Sequence, residues 1–142
     1  MADKNECFLE KFPFISQDKI RYSDTDRQGH VNNAVFSTFF ETGRVEMLYN
    51  PQAPMNRKGT SFVIADLSLE YLREITWPGM IQIGSGITRI GRSSVAFEQA
   101  LFQNGICTAR STSVIVLMDE STRKSTPLDE ETRAGLGRFL FV

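Results

Sequence analysis

The sequence predicts an α+β domain in which a curved antiparallel β-sheet covers one long α-helix. Two observations lead to this fold class. One segment of the 142-residue chain has a sustained helical period, and the segments on either side of it alternate apolar with polar residues. The turns between the alternating segments are short, and short turns join antiparallel neighbours. A single amphipathic helix buries its apolar face on such a sheet, so we expect one two-layered domain over residues 1–142.

The helix is predicted over residues 32–49. Its apolar face is formed by residues at helical spacing, namely Phe36, Phe40, Gly43 and Met47. Asn32 or Asn33 can cap its N-terminus, because an asparagine side-chain oxygen accepts a backbone N–H that has no partner inside the helix. Pro51 disfavours helical backbone in the preceding residue and so ends the helix.

Five strands are predicted from the period of two, over residues 14–22, 63–71, 80–90, 93–103 and 106–118. The strand over 63–71 is expected to be half-buried, with its odd-numbered side chains inside. Asn104-Gly105 is a strongly favoured two-residue hairpin turn. The odd-numbered residues of the last strand include an alanine and two serines. Their small side chains would let the helix lie close against the sheet.

A short C-terminal helix is predicted to end near Ala134. Thr126 is expected to cap it, with Pro127 at its first position and the acids Asp129 and Glu130 in its first turn.

Composition excludes several classes of protein. Sixteen Lys and Arg oppose 17 Asp and Glu, a net charge of −1, which argues against nucleic-acid binding and against a polybasic membrane contact. No apolar run approaches the ~18 residues that span a bilayer, and the first residues lack the plan of a signal peptide. Cys7 and Cys107 lie far apart without CxxC spacing, so we expect no metal site, no disulfide framework and a reducing, cytoplasmic setting. His30 is the only histidine, which excludes histidine-rich metal centres.

The segment over residues 21–33 is the candidate for chemistry: Arg-Tyr-Ser-Asp-Thr-Asp-Arg-Gln-Gly-His-Val-Asn-Asn. It places two acids and the histidine between a strand end and a helix start. Unpaired N–H groups at a helix N-terminus stabilise an acyl oxygen that gains negative charge, and a nearby carboxylate can attack a carbonyl or activate water. Gly29 allows a sharp turn or a close approach to a ligand. A simpler interpretation, ordinary turn and cap residues, fits the same local composition.

The run over residues 21–34 resembles the signature of the hotdog-fold acyl-CoA thioesterases, in the 4-hydroxybenzoyl-CoA thioesterase-like group. Its Asp-x-x-Gly-His-Val-Asn-Asn core carries the resemblance, and the predicted order of helix and strands agrees with that fold over about residues 14–118. The resemblance implies an antiparallel sheet wrapped around one helix, and active sites where two subunits pair their sheets edge to edge. It therefore implies a homodimer as the minimal unit, with a tetramer as the larger alternative.

The resemblance also implies roles for individual residues. Asp26 is the catalytic carboxylate, as nucleophile or general base, and a backbone N–H near Asn33 polarises the thioester carbonyl. His30 either lines the site or fixes the loop through a hydrogen bond. Asn32 and Asn33 both cap the helix and line the site. Asp24 is expected to hold the turn.

Two further groups are candidates by the same resemblance. Glu41, on the outer side of the helix, is either a catalytic acid facing the partner subunit or half of a surface ion pair with Arg44. The hairpin after the predicted strand 80–90 either meets the phosphates and pantetheine of CoA or forms an ordinary solvated turn. The hairpin residues concerned are Arg89, Arg92, Ser93 and Ser94. Arg57 and Lys58 are weaker phosphate candidates.

The function implied is hydrolysis of an acyl-CoA thioester to a carboxylic acid and CoA, without a metal or a cofactor. Two other interpretations stay open: a thioesterase that acts on an acyl-carrier protein, and a hotdog protein that binds acyl-CoA without hydrolysing it. A hotdog dehydratase or hydratase is not favoured, because Asp26 is not followed by the Asn-Pro of those enzymes.

Overall fold

The computed structural model describes residues 7–142. Its main elements, in chain order, are β1 (Phe14–Lys19), α1 (Asn33–Leu48), β2 (Thr60–Tyr71), β3 (Met80–Ile90), β4 (Ser94–Gln103), β5 (Ile106–Asp119) and α2 (Glu130–Gly137). Short 3-10 turns at Leu9–Lys11 and Tyr22–Asp24 flank β1. The predicted α+β architecture, with five strands, one long helix and a short C-terminal helix, is confirmed.

The strands form one antiparallel sheet in the order β1-β3-β4-β5-β2. Strands β3, β4 and β5 follow one another through tight turns and make its centre. β1 forms one edge beside β3, and β2 forms the other beside β5. The odd-numbered residues of β5 are buried from Cys107 to Leu117, as predicted.

β2 differs from the prediction of a half-buried strand, because residues 63–68 are exposed on both faces. Two features of the fold explain the difference. Helix α1 packs mainly over β1, β3 and β4, and the ring contacts at its two ends meet β2 near the ends of that strand, at Phe62 and Tyr71. A bulge between Ile64 and Asp66 also breaks the alternation of side chains along the strand.

The apolar face of α1 packs into two clusters, one at each end of the helix. At its start it contributes Phe36, Phe39 and Phe40, each at most 2% exposed, to a core shared with β3 and β4. At its end it packs with residues of β3, β4, β5 and α2. Asn32 is the N-cap, and its side-chain oxygen accepts the Ala34 N–H at 2.9 Å, which confirms one of the two predicted caps.

β1 ends at Lys19, earlier than the predicted residue 22. The chain turns instead into the 3-10 turn that precedes α1. The Asp24 carboxylate accepts the Arg21 N–H at 2.8 Å in this turn, so a local hydrogen bond replaces the pairing of a longer strand.

The predicted cap of α2 is wrong. Asp129 caps the helix, and its carboxylate accepts the Thr132 N–H at 2.8 Å. Thr126 is engaged elsewhere: its N–H donates to the Leu117 carbonyl, and its hydroxyl accepts from the Arg57 guanidinium. The helix therefore starts at residue 130, and Pro127 lies before it.

The expectation of unpaired cysteines is also wrong, because Cys7 and Cys107 form a disulfide with their Cα atoms 6.3 Å apart. The segment before β1 crosses the outer face of the sheet, where Phe12 packs edge-on against Phe102. Gly84 leaves room for it, since an added Cβ there would lie 2.6 Å from the Phe12 ring. The inference of a reducing compartment depended on unpaired cysteines and loses that support.

Candidate active site

Asp26 lies in a tight loop between β1 and α1. Its N–H donates to the His30 carbonyl at 2.8 Å, and its Oδ1 accepts the N–H groups of Gln28 at 2.8 Å and His30 at 3.2 Å. Gly29 completes the loop with a φ of +79°, a conformation that favours glycine. Within residues 7–142 the second carboxylate oxygen, Oδ2, accepts no hydrogen bond. A carboxylate held by one oxygen and free at the other suits a nucleophile or a general base.

Asp24 holds the connection from β1 to α1, as predicted. Its carboxylate accepts the Arg21 N–H, and its backbone carbonyl accepts the Asn32 N–H at 2.8 Å. The start of α1 is thereby fixed relative to the Asp26 loop.

The start of α1 presents backbone N–H groups beside this loop. Asn33 is the first helical residue, and its N–H has no acceptor within the helix. The Ala34 N–H is already taken by the Asn32 side chain. Tyr71, at the end of β2, donates its hydroxyl to the Asn33 carbonyl at 2.9 Å, and its ring centre lies 5.0 Å from that of Phe36.

Asp26, His30 and Asn33 line one open cavity of about 410 Å³. The rest of its wall is formed by Gln28, Val31, Phe36, Tyr71, Leu72, Arg73 and Glu74. An aspartate, the first residue of a helix and two aromatic residues therefore line one concave space. This combination suits a polarised carbonyl compound as ligand.

His30 lies in the Asp26 loop and at the wall of the cavity. Its backbone closes the Asp26 loop, and its ring lines the cavity. The ring Nε2 lies 3.2 Å from Oε2 of Glu74, whose side chain is 70% exposed. Among residues 7–142, no three His, Cys, Asp or Glu side chains are grouped so that they can hold a metal ion.

Comparison with known proteins assigns the chain to a family. The family model of the thioesterase-like superfamily matches residues 20–136. The chain belongs to this superfamily. Together with the antiparallel sheet and its helix, membership confirms the hotdog fold and makes the protein a thioester hydrolase.

Individual relatives agree with this assignment. The chain is 23% identical over 120 residues to the acyl-CoA thioesterase YbgC of Haemophilus influenzae, covering 82% of this chain and 88% of that protein. It is 31% identical over 87 residues to the acyl-CoA thioester hydrolase YbgC of Escherichia coli O157:H7, covering 58% and 64%. A thioesterase from Thermus thermophilus, solved in complex with coenzyme A and Zn, superposes with a TM-score of 0.78 at 29% identity, over 89% of this chain and 93% of that one.

The part of this superfamily member that the structure describes has no helix both long and apolar enough to cross a bilayer.

Glu41 does not line the cavity; it lies exposed on the outer side of α1. Arg44 is only 6% exposed and donates to Oε1 of Gln99 at 3.1 Å. Among the ion pairs of the described residues, Glu41 and Arg44 form none. Burial lowers the pKa of the Arg44 guanidinium, and the negative charge of Glu41 opposes this effect.

The β3–β4 hairpin lies at the opposite end of α1 from Asp26, since the 16 residues of the helix span about 24 Å. The hairpin residues predicted to contact CoA are Arg89, Arg92, Ser93 and Ser94. The Arg92 carbonyl accepts the N–H of Leu128, just before α2. Arg57 is engaged in the same region, where it donates to the Thr126 hydroxyl and to the Pro127 carbonyl. Within one subunit, neither group reaches the Asp26 cavity.

Tyr71 and Glu74 line the cavity but are absent from the sequence-based prediction. One signal was available: Arg73 and Glu74 are charged residues in a connection between two strands, where functional residues concentrate. Nothing local shows that this connection lies beside the start of α1, because the proximity arises from the pairing of distant segments.

Proposed function

We propose that the protein is an acyl-CoA thioesterase, which hydrolyses its substrate to a carboxylic acid and free CoA. The observation that carries the proposal is the one cavity lined by both Asp26, whose Oδ2 accepts no hydrogen bond within residues 7–142, and Asn33, the first residue of α1. The acyl-CoA thioesterase names of the relatives and the coenzyme A bound to the Thermus enzyme support CoA as the carrier.

In this mechanism the thioester carbonyl oxygen accepts the Asn33 N–H, which stabilises its negative charge when the carbonyl carbon becomes tetrahedral. As a nucleophile, Asp26 attacks that carbon through Oδ2 and the C–S bond breaks. The CoA thiolate leaves and takes a proton from solvent, and water hydrolyses the resulting mixed anhydride. As a general base, Asp26 instead takes a proton from a water molecule that attacks the same carbon, and the proton passes to the departing thiolate.

A homodimer is part of the proposal, and the exposed edge of β2 supports it. Val63, Ile64, Leu67 and Tyr71 are each between 37% and 50% exposed along this edge. An exposed edge strand offers unpaired N–H and carbonyl groups to another strand, and here it also offers apolar side chains. Pairing of two β2 edges places the second subunit next to the Tyr71 wall of the cavity.

The dimer also gives the β3–β4 hairpin its proposed role. Because this hairpin lies far from Asp26 in one subunit, we assign its contacts with the CoA phosphates and pantetheine to the hairpin of the second subunit. The contacting residues in this proposal are Arg89, Arg92, Ser93 and Ser94.

The test is thiol release from a panel of short, long, branched and aromatic acyl-CoAs. We expect wild type to turn over at least one member, and Asp26→Asn to lower kcat by about 10²- to 10⁴-fold, the usual contribution of a catalytic acid or base. Asparagine keeps an oxygen for the Gln28 and His30 N–H groups, so the variant should fold, and thermal unfolding checks that it does.

Glu41→Gln is the matched variant of the other candidate acid, and we expect it to keep wild-type turnover. Turnover that survives Asp26→Asn but is lost in Glu41→Gln would transfer the catalytic role to Glu41. Binding of acyl-CoA without turnover by wild type would contradict the proposal in favour of an acyl-carrier-protein substrate or of a non-catalytic binder.

A further inference from the structure

The contact between His30 and Glu74 has no part in the mechanism above, although it lies at the edge of the same cavity. Glu74 belongs to the connection between β2 and β3. Its Oε2 lies 3.2 Å from Nε2 of His30. A contact between exposed polar side chains is ordinarily weak because the side chains are mobile. The fold nevertheless holds the two segments that carry these residues firmly together.

Backbone hydrogen bonds tie the two segments to each other. The Val31 N–H donates to the Ile75 carbonyl at 2.7 Å, and His30 and Thr76 form an isolated antiparallel bridge. Ile75 is fully buried in the core beneath the start of α1. The backbone of Glu74 is thus anchored on its C-terminal side, although its side chain reaches solvent.

The sheet supports this arrangement from below through Gln103, at the end of β4. Gln103 is 8% exposed, and both ends of its side-chain amide bind the backbone of Thr76. Its Oε1 accepts the Thr76 N–H at 3.1 Å, and its Nε2 donates to the Thr76 carbonyl at 2.7 Å. A buried polar side chain therefore fixes the residue that pairs with His30.

We infer that Glu74 is a positioning residue for His30, an inference that rests on the proposed function of the Asp26 cavity. The Glu74 carboxylate can only accept, so its position 3.2 Å from Nε2 favours the neutral tautomer that carries the proton on that nitrogen. Nδ1 then carries the lone pair. Within residues 7–142 Nδ1 has no hydrogen-bond partner, so it is the ring nitrogen left to accept a hydrogen bond from water or substrate in the cavity.

Three substitutions of Glu74 test the inference by kinetics. Glu74→Gln keeps an acceptor and should retain most of kcat. Glu74→Ala removes it and should lower kcat about fivefold, the rate equivalent of an exposed ion pair, with KM changed less than about twofold. Glu74→Lys places a donor beside Nε2 and should lower kcat further than alanine does.

Glu70→Ala is the matched control, because Glu70 is also exposed and pairs with Arg110 at 2.8 Å, away from His30. It should leave kcat unchanged.

The second readout is the nitrogen NMR spectrum of the histidine ring in the untagged chain, at a pH where the ring is neutral. His30 is the only histidine, so its ring signals need no assignment. Wild type should show the Nε2–H tautomer, Glu74→Ala a mixture of tautomers, and Glu74→Lys mainly the Nδ1–H tautomer. Glu70→Ala should match wild type.

Identical ring spectra for wild type, Glu74→Ala and Glu74→Lys would overturn the inference, and so would a kcat of Glu74→Ala equal to that of Glu70→Ala. The spectra are recorded without turnover. If wild type hydrolysed no acyl-CoA, they would still decide whether Glu74 orients the ring, so a failure of the proposed function is distinguishable from a failure of this inference.

Discussion

Two cavities of similar size lie at opposite ends of α1, and they differ in what their polar groups do. The Asp26 cavity measures about 410 Å³, and the one between α2 and the loop after α1 about 460 Å³. In the second cavity the polar groups at the start of α2 are paired with one another or with the backbone. Asp129 accepts the Thr132 N–H and lies 3.9 Å from the Arg57 guanidinium, and the Thr132 hydroxyl donates to the Met55 carbonyl.

The Asp26 cavity keeps hydrogen-bonding capacity unused within residues 7–142. Oδ2 of Asp26 accepts nothing there, and the Asn33 N–H has no acceptor within α1. By volume alone, the candidate site would be the cavity of about 460 Å³ at the other end of α1. We therefore place the proposed site where hydrogen bonds beside a helix start remain unmade, rather than in the larger cavity. This comparison predicts that substitutions at the far end of α1, where it meets α2, lower the stability of the protein and leave kcat unchanged.

The largest expected effect at the far end comes from Leu136→Ala. Leu136 is fully buried where α2 meets the end of α1, and a cavity of this kind costs about 2–5 kcal/mol of unfolding free energy. Denaturant unfolding measures the loss, and kcat below the new unfolding transition should equal that of wild type. Leu140→Ala, at an exposed leucine, is the control and should cost far less. A lower kcat in folded Leu136→Ala would contradict the view that the α2 end of the molecule contributes to stability and not to turnover.

Gly43→Ala, in the middle of α1, should cost about 1–3 kcal/mol by overpacking. An added Cβ would lie 2.7 Å from Cγ2 of Ile83, 2.8 Å from Oγ of Ser85 and 3.0 Å from Nε2 of Gln99. Gly137→Ala, at the end of α2, is the matched control because nothing lies within 4 Å of its added Cβ. Thermal unfolding should show the first variant less stable than wild type and the second no less stable. Equal unfolding temperatures for the two variants would show that α1 can shift on the sheet to accommodate the added methyl group without losing stability.

Asp129→Ala should cost about 1 kcal/mol, because it removes the cap of α2. The bond from the Thr132 N–H is the main cause that lowers the pKa of the Asp129 carboxyl. A carboxyl whose pKa is lowered by folding stabilises the fold fully above its ordinary pKa of about 3.9, and this contribution is lost as pH falls through the lowered value. The difference in melting temperature from wild type should therefore narrow in acid. A difference that widens in acid would show that the charged cap is not what stabilises α2.

The smallest effect is expected from Arg92→Ala, which tests the one role proposed for the far end. If the hairpin of the second subunit binds CoA phosphates, KM for the acyl-CoA should rise by about fivefold, the value of an exposed charge pair, while kcat stays the same. Lys124→Ala, at an exposed lysine in the turn after β5, should leave KM unchanged. Equal KM values for both variants would remove the hairpin from the binding site.

Local patterns were enough for most of the fold. The period of two located β3, β4 and β5 to within a residue, and Asn32 revealed the start of α1. Elements were misplaced where a distant partner decided the outcome. Thr126 has the chemistry of a cap, but Arg57 occupies its hydroxyl and Leu117 its N–H, so α2 starts later.

Candidate site residues could be predicted where the chain itself brings them together. Asp26, His30 and Asn33 share one loop and helix start, and the resemblance of this run to a thioesterase signature, more than its spacing, singled them out. Tyr71 and Glu74 reach the cavity through strand pairing, and Cys107 meets Cys7 across the outer face of the sheet. The apolar periodicity of a segment does not predict such contacts, because they depend on the register in which distant segments pair.

Gln99, in the central strand β4, helps to fix the position of α1 on the sheet. Its Nε2 donates to the Phe40 carbonyl at 3.0 Å and to the Ser85 hydroxyl at 2.9 Å, while its Oε1 accepts from Arg44. A displacement of α1 by one turn along the sheet would leave a buried amide and a buried guanidinium without partners. Together with the close packing at Gly43, this glutamine therefore fixes α1 along its own axis, and with it the position of Asn33 beside the Asp26 loop.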